Sequence, residues 1–296
     1  MKILILTGGN SSERRISFLS AKNVKNALIE NGHKVKVYDL RKGYESIKKI
    51  SKDFDFLFPV LHGEEGEGGI LHKYLSTIKK PIVGTRNYKG FEKGWYKIPF
   101  KKFCDKNGIK TAPWKVVKSK KDIFEFDFPC VLKASGGGSS REVIILKSKK
   151  DVLRLDIKKI LNLTTSIFVE RYFPGIEVTV GILNNKALPA IEIIPAKGEW
   201  FSYKNKYAST TKEIPFAPSL TPKQQILVQK IALKIHKSFK LGTYSRSDFI
   251  VYKNVPYVLE VNTIPGLTAG SLIPKAAKAA GISFNNFVEI LLKNAK

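Results

Sequence analysis

Residues Gly242–Ser271 read GTYSRSDFIVYKNVPYVLEVNTIPGLTAGS. Two runs rich in β-branched and aromatic residues, Thr243–Tyr252 and Pro256–Thr263, flank a polar turn at Lys253-Asn254, so the stretch is predicted to be a β-hairpin. Side chains alternate faces along a strand. The odd positions Phe249, Val251, Tyr257, Leu259 and Val261 are expected to face a core, and the even positions carry Arg246, Asp248, Glu260 and Asn262. With Asn254 at the centre of the turn, Asp248 falls opposite Glu260 and Arg246 opposite Asn262. Like charges directly opposite one another are destabilising, and a divalent cation between them would remove that cost. Two carboxylates and an amide oxygen are hard donors that suit Mg²⁺ shared with a nucleotide's phosphates. For the hairpin taken alone, a solvated face of an antiparallel sheet is the plainer alternative.

The remaining chain bounds the reading. Its 296 residues are enough for two or three domains with a sizeable core, and an apolar fraction of 43% is that of a globular protein. No run of 18 apolar residues occurs, so no membrane span is expected. The start, MKILILTGGNSSERR, reads as a first strand and not as a signal peptide. Cys104 and Cys130 stand far apart with no CxxC pair, which argues against a disulfide framework or zinc and fits the cytoplasm. The net charge is +27, and all but 8 of the 52 basic residues are Lys. They come in short dispersed pairs such as Lys48-Lys49 and Lys120-Lys121, without a basic arm or an aromatic-interleaved RNA motif. That is the pattern of a solvated surface, whose field would attract polyanions at low salt; no specific nucleic-acid partner is expected.

In chain order, Lys2–Thr7 is an apolar strand running into Gly8-Gly9-Asn10-Ser11-Ser12-Glu13. A helix follows, with Ile16, Leu19, Val24 and Leu28 at helical spacing, Ser11 or Ser12 as N-cap and Gly32 at its end. Strands are expected at His33–Tyr38, Phe54–Val60 and Ile82–Gly84. Strands alternating with helices give a parallel sheet whose ligand face lies at the strand C-termini. There the third strand meets the acid- and glycine-rich loop His62–Gly69. Glu13 could simply complement the helix dipole, and His62 could be a satisfied loop histidine.

Lys97 lies on a helix expected over Trp95–Lys106. The strand Pro129–Lys133 then feeds Ala134-Ser135-Gly136-Gly137-Gly138-Ser139-Ser140, and Glu142–Leu146 returns. Three successive glycines between strands offer many backbone N–H groups to phosphates; no GK[ST] follows, so this is not a Walker A loop. A helix is expected at Lys150–Leu161 and strands at Ser166–Arg171 and across Ile176–Ile194. Pro195–Leu220 reads as a long irregular segment of the kind used as a lid. Helices at Pro222–Phe239 and Phe284–Leu292 complete the pattern.

The motifs GGNSSERRISFLSA, HGEEGEGG, VLKASGGGSS, FVERYFPGIEVTVG, LPAIEI, YKNKY, SRSDF and LEVNTIPGLTAGSLIP span nearly the whole chain. In order and spacing they resemble the D-alanine–D-alanine ligases of the ATP-grasp superfamily. The resemblance implies an α/β and α+β chain: an N-terminal parallel α/β domain over residues 1–94, then ATP-grasp lobes over 95–174 and 175–296. It implies ATP-driven joining of two D-alanines for peptidoglycan precursors, in the cytoplasm, with Mg²⁺ (two ions, Mn²⁺ as a substitute) and a homodimer as an open expectation. It assigns Asp248, Glu260 and Asn262 to the metal. ATP falls to Lys97, Lys133, Ser139, Glu170, Arg171, Phe173, Glu177 and Lys206. Glu13 and His62 fall to the first D-alanine, and Arg246, Gly266, Ser271 and Leu272 to the second substrate and its oxyanion. It also implies a hydrogen-bonded trio of Glu13, Ser139 and Tyr207 latching the glycine loop and the lid.

The chain departs from the family pattern at Gly68, His72, Tyr96, Arg141-Glu142 and Gly270, all beside substrate positions. Another ATP-grasp carboxylate–amine or D-alanine–hydroxy acid ligase therefore stays open, as does a basic polyanion-binding module with a relic site. In the resembled family a Tyr at position 207 accompanies D-alanine as second substrate, whereas ester-forming relatives lack it; packing on Trp200 or Phe201 is its plainer role. Tyr207→Phe is expected to raise D-lactate use relative to D-alanine, read by quantifying dipeptide and ester made by both proteins; an unchanged ratio removes Tyr207 as the gate.

Overall fold

The computed structural model describes residues 1–138, 143–163, 166–195, 211–268 and 270–296. Three sheets organise these residues. The first is parallel, with β1 (Lys2–Thr7) between β2 (Lys34–Asp39) and β3 (Phe56–Pro59). Ile3, Leu4, Ile5 and Leu6 of β1 are all fully buried, as a strand covered on both faces requires. The expected fourth strand at Ile82–Gly84 is reduced to a parallel bridge between Leu57 and Ile82. Gly84 turns the chain with φ +101°, and the Ile82 N–H is taken by the Lys296 carbonyl at 2.8 Å.

The second sheet is antiparallel in the order β4 (Trp114–Val117), β7 (Ile167–Arg171), β5 (Cys130–Ala134), β6 (Val143–Leu146). The third runs β11 (Lys212–Pro215), β10 (Ile191–Ile194), β8 (Ile176–Leu183), β12 (Tyr244–Tyr252), β13 (Val255–Asn262), with β9 (Lys186–Ala187) paired to β8. The sequence reading took all of Pro195–Leu220 as irregular, yet Lys212–Pro215 is the edge strand of this sheet. The expected single helix at Lys150–Leu161 is two, Lys149–Arg154 and Ile157–Leu163, because Leu155 adopts an extended backbone. Leu272–Ala279 is a helix that the sequence reading did not mark.

The hairpin forms as expected, with a correction to its pairing. Lys253 and Asn254 both have positive φ, 47° and 65°, and Tyr252 pairs with Val255, so the loop is a two-residue turn of the kind that matches strand twist. Phe249 then pairs with Val258, but Asp248 pairs with Glu260. Leu259 is the extra residue of a bulge. Tyr257 and Leu259 therefore leave the core side, where Val258 takes their place, fully buried; Phe249, Val251 and Val261 face the core as expected. The bulge restores the opposition of Asp248 and Glu260, and of Arg246 and Asn262.

One large core joins the third sheet to three helices. Val178, Val180 and Ile182 of β8 meet Val228, Ala232 and Ile235 of the Pro222–Phe239 helix, Val24 and Leu28 of the Arg14–Glu30 helix, and Phe287, Val288, Leu291 and Leu292 of the Phe284–Lys293 helix. Burying a side chain of this size is worth ~1.5–3 kcal/mol, so the C-terminal helix is held by its apolar face. Leu19, read as part of the helical stripe, is exposed; the buried positions there are Ser17 and Ser20. A second buried cluster supports β5 and β7 with Val117, Leu132, Leu146, Val152 and Val169.

Gly242 marks a close approach between chain segments. Its φ is +83°, and a Cβ there would lie 1.9 Å from the Gly84 carbonyl oxygen. Gly242→Ala is expected to lower the unfolding free energy by about 3 kcal/mol or more, read as a lower urea midpoint at unchanged slope.

Candidate active site

The cleft between the second and third sheets has a volume of about 420 Å³. Lys97, Lys133, Glu170, Arg171, Phe173 and Glu177 all line it, together with Asp248 and Glu260. A second cleft of about 600 Å³ lies toward the N-terminal sheet and is lined by Glu13, His62, Arg246, Gly266, Ser271 and Leu272, with Glu260 and Asn262. Lys97, Gly137, Gly138 and Glu260 line both, so the two spaces meet at that point. Ser139, Lys206 and Tyr207 lie outside the described residues, so the hydrogen-bonded trio is not part of the described site.

The carboxylates that face each other on the hairpin are each met by a cation. Arg246 donates from Nε and Nη2 to the two Asp248 oxygens at 2.9 and 2.8 Å. Thr179 Oγ1 donates to Asp248 at 2.5 Å, and Asn262 Nδ2 donates to it at 3.1 Å. Burial alone would lower the Arg246 guanidinium's pKa; Asp248 outweighs it and raises it. Lys97 Nζ lies 3.3 Å from Glu260 and donates to the Gly137 carbonyl at 3.0 Å. Among the described residues no three His, Cys, Asp or Glu side chains gather as a metal cage. Two carboxylates and an amide on the walls of the two clefts are the kind of incomplete oxygen-donor set that suits Mg²⁺ when a nucleotide supplies the rest.

Deeper in the first cleft, Glu170 is 2% exposed and carries two ion pairs, to Lys133 and Lys101, each at 2.5 Å. Burial would push its carboxyl up, but the two ammonium groups outweigh that and hold it at about 2. The sequence reading did not include Lys101, which is 1% exposed and donates to Thr111 Oγ1 at 2.6 Å; its position four residues after Lys97, on the same helix face, was the available signal. At the cleft mouth, Phe173 stacks on Tyr257 and Tyr252 with ring centroids 4.3 and 5.0 Å away. This is where the bulge sends Tyr257.

In the second cleft, His62 is 5% exposed. Burial lowers its pKa, Glu13 opposes that and Arg246 adds to it, so the imidazole is neutral at pH 7. Ser11 and Ser12 do not cap the helix as expected: Glu13 is the N-cap residue without a side-chain cap bond. Ser11 Oγ instead accepts from the Glu13 N–H at 3.2 Å and donates to the His62 carbonyl at 2.9 Å. Two further residues of this cleft escaped the sequence reading. Glu67 is buried, accepts from the Gly63 N–H at 2.9 Å, and has its carboxyl pushed up to about 8 by burial and by Glu13. Glu213, on the unexpected edge strand, pairs with Lys275 of the unmarked helix.

The family model described as "D-ala D-ala ligase C-terminus" matches residues 96–293. A D-alanine–D-alanine ligase of Maridesulfovibrio salexigens is 37% identical over 99% of this chain and 98% of its own length. One of Methylacidiphilum infernorum is 38% identical over 98% of this chain and 94% of its own. The crystal structure of the Bacillus anthracis D-alanine–D-alanine ligase superposes with a TM-score of 0.87 at 31% identity, covering 99% of this chain and 97% of that one. A structure of the same enzyme complexed with ATP gives 0.86 at 29% identity, over 99% and 97%.

Glu170→Gln is expected to cost about 3 kcal/mol at pH 7, by leaving two lysines without their buried counter-charge. Because the folded carboxyl titrates at about 2, below its ordinary 4.5, this contribution is complete above about 4.5 and fades as pH falls toward 2. Thermal unfolding of both proteins from pH 7 to 3 checks it: the gap in midpoint narrows only at the acid end.

Proposed function

The chain belongs to the D-alanine–D-alanine ligase family, and from that premise we propose that it joins two D-alanines at the expense of ATP, in the two clefts that meet at Lys97 and Glu260. That meeting point carries the reading, because a nucleotide in one cleft would there bring its terminal phosphate beside a carboxylate bound in the other. The N-terminal sheet then serves the amino acid, and the second and third sheets close on the nucleotide.

The first D-alanine, held beside Glu13 and His62, presents its carboxylate to the γ-phosphorus. The oxygen–phosphorus bond to ADP breaks as the carboxylate bond forms, and Lys97 and Lys133 disperse the charge spread over the transferring group. Phe173, braced by Tyr257, is the apolar wall for the base, and Glu177 is the carboxylate for the ribose. Mg²⁺ bound by Asp248, Glu260 and Asn262 would supply further positive charge at the phosphates. The acyl phosphate formed is labile in water, so the closed cleft protects it.

The amine of the second D-alanine attacks the acyl carbonyl, and its carboxylate is held by Ser271 and the Leu272 backbone. Arg246 keeps Nε and Nη2 on Asp248, so the tetrahedral oxyanion falls to Nη1 and to the Gly266 N–H. Collapse expels phosphate, which carries off the proton that the amine nitrogen loses, and leaves the dipeptide.

An ADP-release screen over D- and L-amino acids and D-lactate tests the substrate assignment: D-alanine is expected to give the fastest release, with D-alanyl-D-alanine as product. In the same assay Asp248→Asn and Glu260→Gln are expected to lower turnover by at least about 100-fold, since metal charge stabilisation is worth several kcal/mol. Near-normal turnover in both would remove the metal assignment.

A further inference from the structure

Ser20 lies on the Arg14–Glu30 helix, fully buried, at a position where an amphipathic helix would place an apolar residue. A buried hydroxyl persists where it is hydrogen-bonded. Its Oγ lies 3.2 Å from His62 Nε2 and accepts from the Leu267 N–H at 3.3 Å. Ser17, one turn earlier, accepts from the His62 N–H at 3.0 Å. The Ile264 carbonyl is the ring's backbone hydrogen-bond partner. His62 is thereby gripped by the helix on one side and by the Ile264–Leu267 turn on the other.

The directions of these bonds follow from the donor inventory. A backbone N–H can only donate, so Ser20 Oγ is acceptor toward Leu267. That leaves its own proton for an acceptor, and among the bonds of this hydroxyl Nε2 of a neutral His62 ring is the one that can take it. Assigning the Ser20 proton to Nε2 leaves the ring proton on Nδ1, for which the Ile264 backbone is the available acceptor. The result is one chain, Leu267 N–H to Ser20 Oγ–H to His62 Nε2.

We propose that Ser20 is a positioning residue of the ligase reaction: it fixes the His62 ring in its Nδ1–H tautomer and, through the same hydroxyl, ties that ring to the Gly266–Leu267 turn. This rests on the reading of the second cleft as the amino-acid site. The oxyanion donor proposed above is the Gly266 N–H, adjacent to the Leu267 N–H that Ser20 holds. One hydroxyl therefore bears on two distances: that of the histidine beside the first amino acid and, through the next peptide unit, that of the Gly266 N–H facing the developing oxyanion. Catalysis at such a donor is sensitive to small displacements. Ser20 touches no part of the ATP cleft, so its influence is confined to the amino-acid half of the reaction.

The test uses the full-length protein labelled with [15N]histidine, which has only four imidazoles to assign. The native spectrum is expected to show His62 protonated at Nδ1 and bare at Nε2 at pH 7. Ser20→Ala is expected to shift the His62 ring signals, to lower kcat about tenfold, the worth of one such hydrogen bond, and to leave the KM for ATP within about twofold. Ser20→Thr, which keeps an Oγ, is expected to restore both the ring signals and kcat. A native ring protonated at Nε2 overturns the proposal, whatever the variants do. So does Ser20→Ala with unaltered His62 signals, or with equal losses in ATP affinity and melting temperature that mark a packing residue. If the native protein proves inactive on D-alanine, the substrate reading fails, while the ring signals still decide whether Ser20 governs the tautomer.

Discussion

Two carboxylates placed opposite each other on the hairpin, at the junction of the two clefts, are the constraint on which the rest of the site depends. At low effective dielectric the repulsion between Asp248 and Glu260 is several times that in water, so each must have its own compensation. Asp248 takes Arg246, Thr179 and Asn262, all on the same sheet. Glu260 takes Lys97, from a different part of the chain, and Lys97 in turn grips the Gly137 carbonyl. The same electrostatic requirement thus ties the hairpin to the Lys97–Lys106 helix and to the start of the glycine loop. It explains why the two clefts share Lys97 and Glu260 as a common wall.

The hairpin also shows how a correct expectation can rest on incomplete grounds. Alternation and turn chemistry place Asp248 opposite Glu260 if the turn is centred on Asn254. The turn instead has two residues with positive φ, which would have slipped the pairing by one had Leu259 not bulged. A one-residue slip reverses every side chain of a strand. The bulge therefore divides β13 into two halves. One puts Val258 in the core and Tyr257 behind Phe173; the other puts Val261 in the core and Glu260 with Asn262 in the cleft. Nothing in the local pattern VPYVLEVN marks the extra residue, because Val, Leu and Tyr satisfy either face.

The rest of the site was legible where a residue type is unusual for its place and opaque where tertiary contact decides. Glycine runs, acid-rich loops after buried strands and charged residues inside a strand stand out in sequence and mark the surroundings of Lys133, His62 and Arg246, whereas the roles expected of these residues and of Glu170 come from the family resemblance. Lys101 looks like one more surface lysine on a very basic chain until the fold puts it next to Glu170, 1% exposed. Ser17 and Ser20 blur the apolar stripe of their helix, which is why Leu19 reads as part of that stripe although it is exposed. Lys212–Pro215 is too short and too mixed to read as a strand, and only its pairing with β10 makes it one.

Lys101 also bears on how the proposed reaction can use Lys133. Two of the lysines proposed for the phosphates are already paired in the structure, Lys97 with Glu260 and Lys133 with Glu170. An ammonium held this way is ordered before the nucleotide arrives, so little side-chain entropy is lost on binding. The difficulty is what remains behind, since pulling a lysine from a buried carboxylate leaves a bare charge costing several kcal/mol. Glu170 avoids it, because Lys101 stays in place on its other oxygen, itself anchored to Thr111 and through it to the Val258 carbonyl. Glu260 avoids it differently, by standing at the edge of both clefts where a metal ion can replace the lysine. In the proposed reaction Lys133 would thus be freed by a second lysine and Lys97 by a metal ion brought with the nucleotide, so that binding exchanges partners without exposing an unpaired charge.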